Sequence, residues 1–156
     1  MKTFNRIIFV AGSGTCRAPM AMELLRGQLL WHRPEILARG MVVLFPEPLN
    51  QKAEAVMISN GIKLEGYMSS PLTEEDCSED TLIIAINSVI KEKILAKFPE
   101  APNVYFLTEI TGNELEIMDP YGGDLVSYGL CFESMVKPIK TLAMMLNESS
   151  FFDEET

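Results

Sequence analysis

Apolar positions along the chain fall into short runs that alternate with amphipathic stretches. Phe4 to Val10 is largely apolar and rich in β-branched residues, and Gly12-Ser13-Gly14 stops it, which predicts a strand and then a turn. Pro19 suits a first helical turn, where its missing N–H costs nothing. The pairs Met20/Leu24 and Ala21/Leu25 recur at i, i+4 spacing, predicting a helix to about Trp31. Ile36 to Leu44 reads as a second strand, broken by Phe45-Pro46-Glu47-Pro48 because proline restrains both itself and the residue before it. Asn50 can cap a helix through Asn60, with Ala53, Val56 and Met57 on its apolar face and Gly61 as its stop. Thr73 with Asp76 resembles a short helix start, and Leu82 to Ile86 is a continuous apolar run suited to a strand covered on both faces. Ser88 can cap a helix to about Phe98, and Val104 to Leu107 supplies another strand. A last helix from about Phe132 to Leu146 carries Met135, Ile139 and Leu142, with Pro138 either kinking it or marking a later start.

Strands thus alternate with helices four times, and right-handed crossovers would join such strands into one parallel sheet. A three-layer α/β/α domain with a four-stranded parallel sheet is predicted. In such sheets ligands sit beyond the carboxyl ends of the strands, which is where the loop after the first strand must lie. The 156 residues, 47% hydrophobic and 22% charged, suit a single domain over residues 1–150, with an acidic, solvated tail over 151–156.

A net charge of -9 repels phosphodiester backbones and anionic lipid heads, so neither nucleic acid nor membrane is an expected partner. Lys2 and Arg6 precede an apolar run too short for a secretory signal, and no apolar stretch approaches the ~20 residues that span a bilayer. Cys16, Cys77 and Cys131 are scattered, with no Cys-x-x-Cys pair. That pattern fits free thiols in a reducing, cytoplasmic setting and implies neither a metal nor another cofactor. The lone His32, at the expected end of the first helix, suits a favourable contact with the helix dipole.

The candidate chemistry lies in Ala11-Gly12-Ser13-Gly14-Thr15-Cys16-Arg17. Small residues let the backbone curl, and successive N–H groups pointing inward at a helix N-terminus form a nest for an anion, aided by the helix dipole. Arg17 could grip a phosphate bidentately through its planar fork. The loop lacks the Gly-Lys-Ser/Thr of a nucleotide P-loop and the third glycine of a dinucleotide fingerprint. Asp119-Pro120-Tyr121-Gly122 follows the last strand, on the same expected edge of the sheet. There an acid could protonate a leaving group, and Tyr121 could stack on a planar one. Each segment taken alone reads more simply as a plain turn. Phe45, in Leu44-Phe45-Pro46, could wall the pocket or be buried in the core.

Together these segments resemble the low-molecular-weight protein tyrosine phosphatases, over nearly the whole chain. That family has a strand leading into Cys, five intervening residues, Arg, then Ser or Thr and Pro. Here Phe9-Val10, Cys16-Arg17 and Pro19-Met20-Ala21 keep the frame, and Asp119 to Gly122 matches the family's late Asp-Pro-Tyr-Gly. The resemblance implies an attacking loop cysteine, an arginine stabilising the transferring phosphoryl group and an aspartic acid protonating the leaving phenol.

Counting back from Arg17 places that nucleophile at position 11, and the residue there is Ala11. Alanine forms no covalent intermediate, and loss of a nucleophile can cost on the order of a millionfold in turnover. Gly14 stands where the family has an Asn that buttresses the loop, and Ala18 where it has the hydroxyl that activates the cysteine. Cys16 corresponds to the family's second loop cysteine, with Met22 at the spacing where an arginine partner would be needed. Three readings stay open: a pseudophosphatase holding phosphate, phosphotyrosine or another small oxyanion in Gly12 to Arg17, a hydrolase with a non-standard nucleophile, or an interaction protein with a vestigial site.

Overall fold

The apolar runs become the strands of a parallel sheet. In the structure, a computed structural model that describes residues 3–148, β1 (Arg6–Ala11) lies between β2 (Glu35–Gly40) and β3 (Thr81–Ala85), and β4 (Val104–Phe106) pairs beyond β3. All three pairings are parallel, with Ile8 opposite Leu37 on one side and Ile83 on the other. Lys2 and the acidic segment 151–156 lie outside the described residues. Consecutive strand residues point to opposite faces, so the unbroken burial of Ile7, Ile8, Phe9 and Val10 shows β1 covered on both. Burying such a side chain contributes about 1.5–3 kcal/mol, which makes the central strands the anchor of the fold.

Five helices complete the described chain: α1 (Arg17–Arg26), α2 (Gln51–Ser59), α3 (Ser88–Lys97), α4 (Leu107–Thr111) and α5 (Leu125–Asn147), with a 3-10 turn at Glu74–Asp76. α1 packs on α5 and β2, α2 on α5, and α3 on β3 and β4. The chain leaves β1 for β2 on one side and later returns to β3 on the other. The loop after β1 therefore sits at the crevice where the winding reverses.

Several boundaries differ from the sequence pattern. α1 stops at Arg26, because the Gly27 N–H closes on the Glu23 carbonyl and the Gln28 N–H on that of Leu25. His32 is therefore not at a helix end, and it is exposed. β2 ends at Gly40 rather than Leu44, where the Met41 N–H is shared between the carbonyls of Ala11 and Gly12. Asn87, one residue before Ser88, caps α3 through the Ile90 N–H. Leu107 opens α4 instead of closing β4, and the Glu109 carboxylate accepts the Phe106 N–H at its start. α5 begins seven residues before Phe132, where the Asp124 side chain accepts the Ser127 N–H, and Pro138 sits inside the helix.

Candidate functional site

The loop between β1 and α1 curls around a cavity of about 560 Å³. Every residue from Ala11 to Arg17 lines it, joined by Asp119 and Tyr121 from the loop before α5. Two distant sequence segments thus meet at one mouth. Cys16 occupies the N-cap of α1 but its side chain makes no capping bond, so no cap from that residue competes for the first-turn amides.

Arg17 is the first residue of α1 and is 6% exposed. Its Nη2 stands 3.6 Å from Asp119 Oδ2, while Nη1 is buried with no hydrogen-bond partner. Asp119 Oδ1 accepts the Tyr121 N–H at 3.0 Å, a local turn that leaves the other oxygen facing the guanidinium. An orphaned, buried, charged donor costs far more than a paired one. Its position on the cavity is what a site for an anion requires.

The loop's shape comes from outside it. Gly14 adopts φ +77°, and its carbonyl accepts the Tyr67 hydroxyl. The Ser13 and Thr15 hydroxyls pair at 2.8 Å, and the Thr15 carbonyl accepts the Asn50 N–H at 2.9 Å. Beneath them runs Gly40, where a Cβ would fall 2.6 Å from the Ser13 carbonyl carbon and oxygen. Gly40, Asn50 and Tyr67 were not singled out for the site from sequence. Asn50 was legible only as a helix cap, which it also is, accepting the Lys52 and Ala53 N–H groups.

Tyr121 lines the cavity, and the buried Tyr128 of α5 joins it unannounced by any motif. Phe45 does not line it. Its side chain is 64% exposed, because the wall is taken by Glu47, Pro48 and Leu49. That segment is held by Ser69, whose hydroxyl meets the Glu47 N–H at 2.9 Å and whose own N–H donates to the Glu47 carbonyl. Phe45, two residues earlier, is left outside.

Burial pushes the Cys16 thiol up to about 12, with nearby Cys131 and Asp119 raising it and Arg17 pulling against them. Desolvation outweighs the arginine. At neutral pH Cys16 is therefore a neutral thiol. Among the described residues, no group of three or more His, Cys, Asp and Glu side chains could hold a metal ion. No helix there is long and apolar enough to cross a membrane.

The family model for the low molecular weight phosphotyrosine protein phosphatases matches residues 6–151. The chain belongs to this family. A protein-arginine-phosphatase from Geobacillus stearothermophilus is 31% identical over 143 residues, 90% of this chain and 95% of that relative. The low molecular weight protein-tyrosine-phosphatase PtpB of Staphylococcus aureus is 28% identical over 137 residues, 88% of this chain and 96% of its own. In three dimensions, the YwlE arginine phosphatase from Geobacillus stearothermophilus superposes with a TM-score of 0.85 at 28% identity, covering 97% of this chain and 99% of that one. The phosphatase fold is whole in this chain, and Ala11 ends β1 beside the cavity with 3% of its surface exposed.

Proposed function

We propose that this member of the phosphatase family is a catalytically silent phosphoryl binder, a pseudophosphatase whose loop from Gly12 to Arg17 holds a phosphate-like oxyanion. The observation that carries the reading is the buried Arg17 Nη1, a donor without a protein partner on a cavity that also receives the α1 N-terminus. Ala11 offers no atom that could accept a phosphoryl group, and Cys16 is held as a neutral thiol at neutral pH. Relatives named for phosphotyrosine and for protein arginine make a phosphorylated tyrosine or arginine side chain the natural ligand class, and inorganic phosphate its smallest probe. Tyr121 and Tyr128 on the cavity wall suit a planar group next to the phosphoryl, as either a phenol or a guanidinium would supply. The three cysteines, all free, fit action in the reducing cytoplasm.

Isothermal titration with phosphate and phosphotyrosine tests the reading, alongside aryl phosphate turnover. Expected are binding that disappears in Arg17→Ala and no turnover. Absence of Arg17-dependent heat at millimolar ligand would sink it. Turnover lost on Asp119→Asn would instead favour a working hydrolase, the reading that the Arg17–Asp119 contact keeps in view.

A further inference from the structure

A second depression, a groove of about 1390 Å³, runs between the segment from Asn113 to Gly123 and the outer side of α5. It is not a separate feature of the surface. Asp119 and Tyr121 line both it and the cavity that holds Arg17, so the two adjoin at these residues. A ligand with its phosphoryl group against Arg17 can extend past Tyr121 toward the groove.

The groove's chemistry is lopsided. Its apolar share comes from Leu115, Met118 and Leu130, exposed by 84%, 77% and 66%, an arrangement costly for surface residues that nothing covers. Its charges are four carboxylates, Glu114, Glu116, Asp119 and Glu133, against the single ammonium of Lys137. Pro138, also on the groove, brings no N–H to the Ser134 carbonyl one turn back in α5, which adds to the acceptor character of that wall. Donors and positive charge are what this surface lacks.

Resting on the phosphoryl-binding reading above, we propose that the groove takes the peptide flanking a phosphorylated residue, and that it selects flanks that are both apolar and cationic. A Leu-like side chain would cover Leu115 and Leu130 while a Lys or Arg answers Glu114 and Glu133. This pairing also explains how a chain of net charge -9 could recruit a ligand that itself carries a dianion: the cationic flank meets the negative surface and Arg17 meets the phosphoryl. Partners are therefore basic, apolar segments of phosphoproteins.

The test compares two peptides with the same central phosphotyrosine, one flanked by Leu and Lys and the other by Ser and Glu, by fluorescence anisotropy against the full chain. The Leu/Lys peptide should bind about tenfold more tightly. Leu115→Ser combined with Glu133→Lys, both at exposed positions off the phosphate cavity, should reduce that preference to about twofold or less while leaving the affinity for inorganic phosphate unchanged. Equal binding of the two peptides, or a preference that survives the double substitution, overturns the proposal. Should inorganic phosphate itself fail to bind, the pseudophosphatase reading falls. The unphosphorylated Leu/Lys peptide then decides the groove: binding that is lost in the double variant upholds it, and no binding removes it.

Discussion

Nη2 of Arg17 and Oδ2 of Asp119 stand 3.6 Å apart, so the cation best placed to receive an anion already faces a carboxylate. In a phosphatase the acid would be a proton donor to the leaving group. In the pseudophosphatase proposed above it would also be a fixed like charge beside the ligand. Asp119→Asn should therefore tighten phosphate binding, by roughly threefold for a carboxylate that is largely solvated. Titration calorimetry reads this directly, and weaker binding in the variant would mean that Asp119 helps the anion rather than opposing it.

Arg17 carries a cost in stability. Its buried Nη1 has no protein partner, so Arg17→Met, apolar and similar in length, should melt at or above the temperature of the unsubstituted chain when no phosphate is added. The same variant should lose phosphate affinity by at least about tenfold and lose the rise in melting temperature that phosphate gives the unsubstituted chain. Scanning calorimetry with and without phosphate separates the two effects. A variant much less stable than its parent, yet still stabilised by phosphate, would contradict both.

Restoring the missing atom should restore chemistry. Ala11→Cys places a thiol at the end of β1, on the cavity that holds Arg17 and Asp119. Turnover of an aryl phosphate is expected to rise by at least about 100-fold over the unsubstituted chain, and to fall again when Arg17→Ala or Asp119→Asn is added. Gly14 and Ala18 remain unlike the family pattern, so the gain stays partial. A fully inactive Ala11→Cys that still binds phosphate would show that those two positions, and not position 11 alone, disable the loop.

Alkaline pH should weaken the fold. Burial raises the Cys16 thiol from its usual 9.0 to about 12 and that of Cys131 to about 11, and it raises the Tyr67 phenol to about 12. The folded chain then holds protons that the unfolded chain releases from about pH 9 upward. The stability these groups supply is complete below that value and declines as pH climbs toward 12. Urea midpoints at about pH 8 and about pH 10.5 should show the decline, and Cys16→Ala should make it shallower. A midpoint that does not move would place these groups in water.

Gly40 tests the support beneath the loop. A methyl there would lie 2.6 Å from the backbone of Ser13, an approach that neither rigid strand end nor loop can relieve cheaply. Gly40→Ala should cost about 1–3 kcal/mol in denaturant stability and weaken phosphate binding with it. Loss of stability with binding intact would show that the loop moves without harm to the site.

Much of this was legible in the chain. Continuous apolar runs such as Leu82 to Ile86 predicted covered strands, and the structure buries every one of those residues. Asp119 and Arg17 could be named together because the family pattern pairs them, not because any spacing joins residues so far apart. What escaped was long-range. α5 starts at Leu125 because the side-chain cap from Asp124 outcompetes the polar look of the segment before Phe132. Phe45 was a reasonable wall by position, but Ser69 fixes Glu47 and turns the phenyl ring's neighbours inward instead. Tyr67 and Gly40 carry no motif at all, and their parts in the site are set by who approaches whom in the folded state.

The loop from Ala11 to Arg17 is continuous in sequence, yet its shape is owed to Gly40, Asn50 and Tyr67, each from a different later segment. As the chain emerges during synthesis, the whole anion motif is therefore exposed long before the residues that curve it exist. The first strand and helix can form early, but the site is made only when the chain has passed Tyr67. The cavity is in that sense a late acquisition of the fold, and its wall is complete only when Asp119, Tyr121 and Tyr128 have followed.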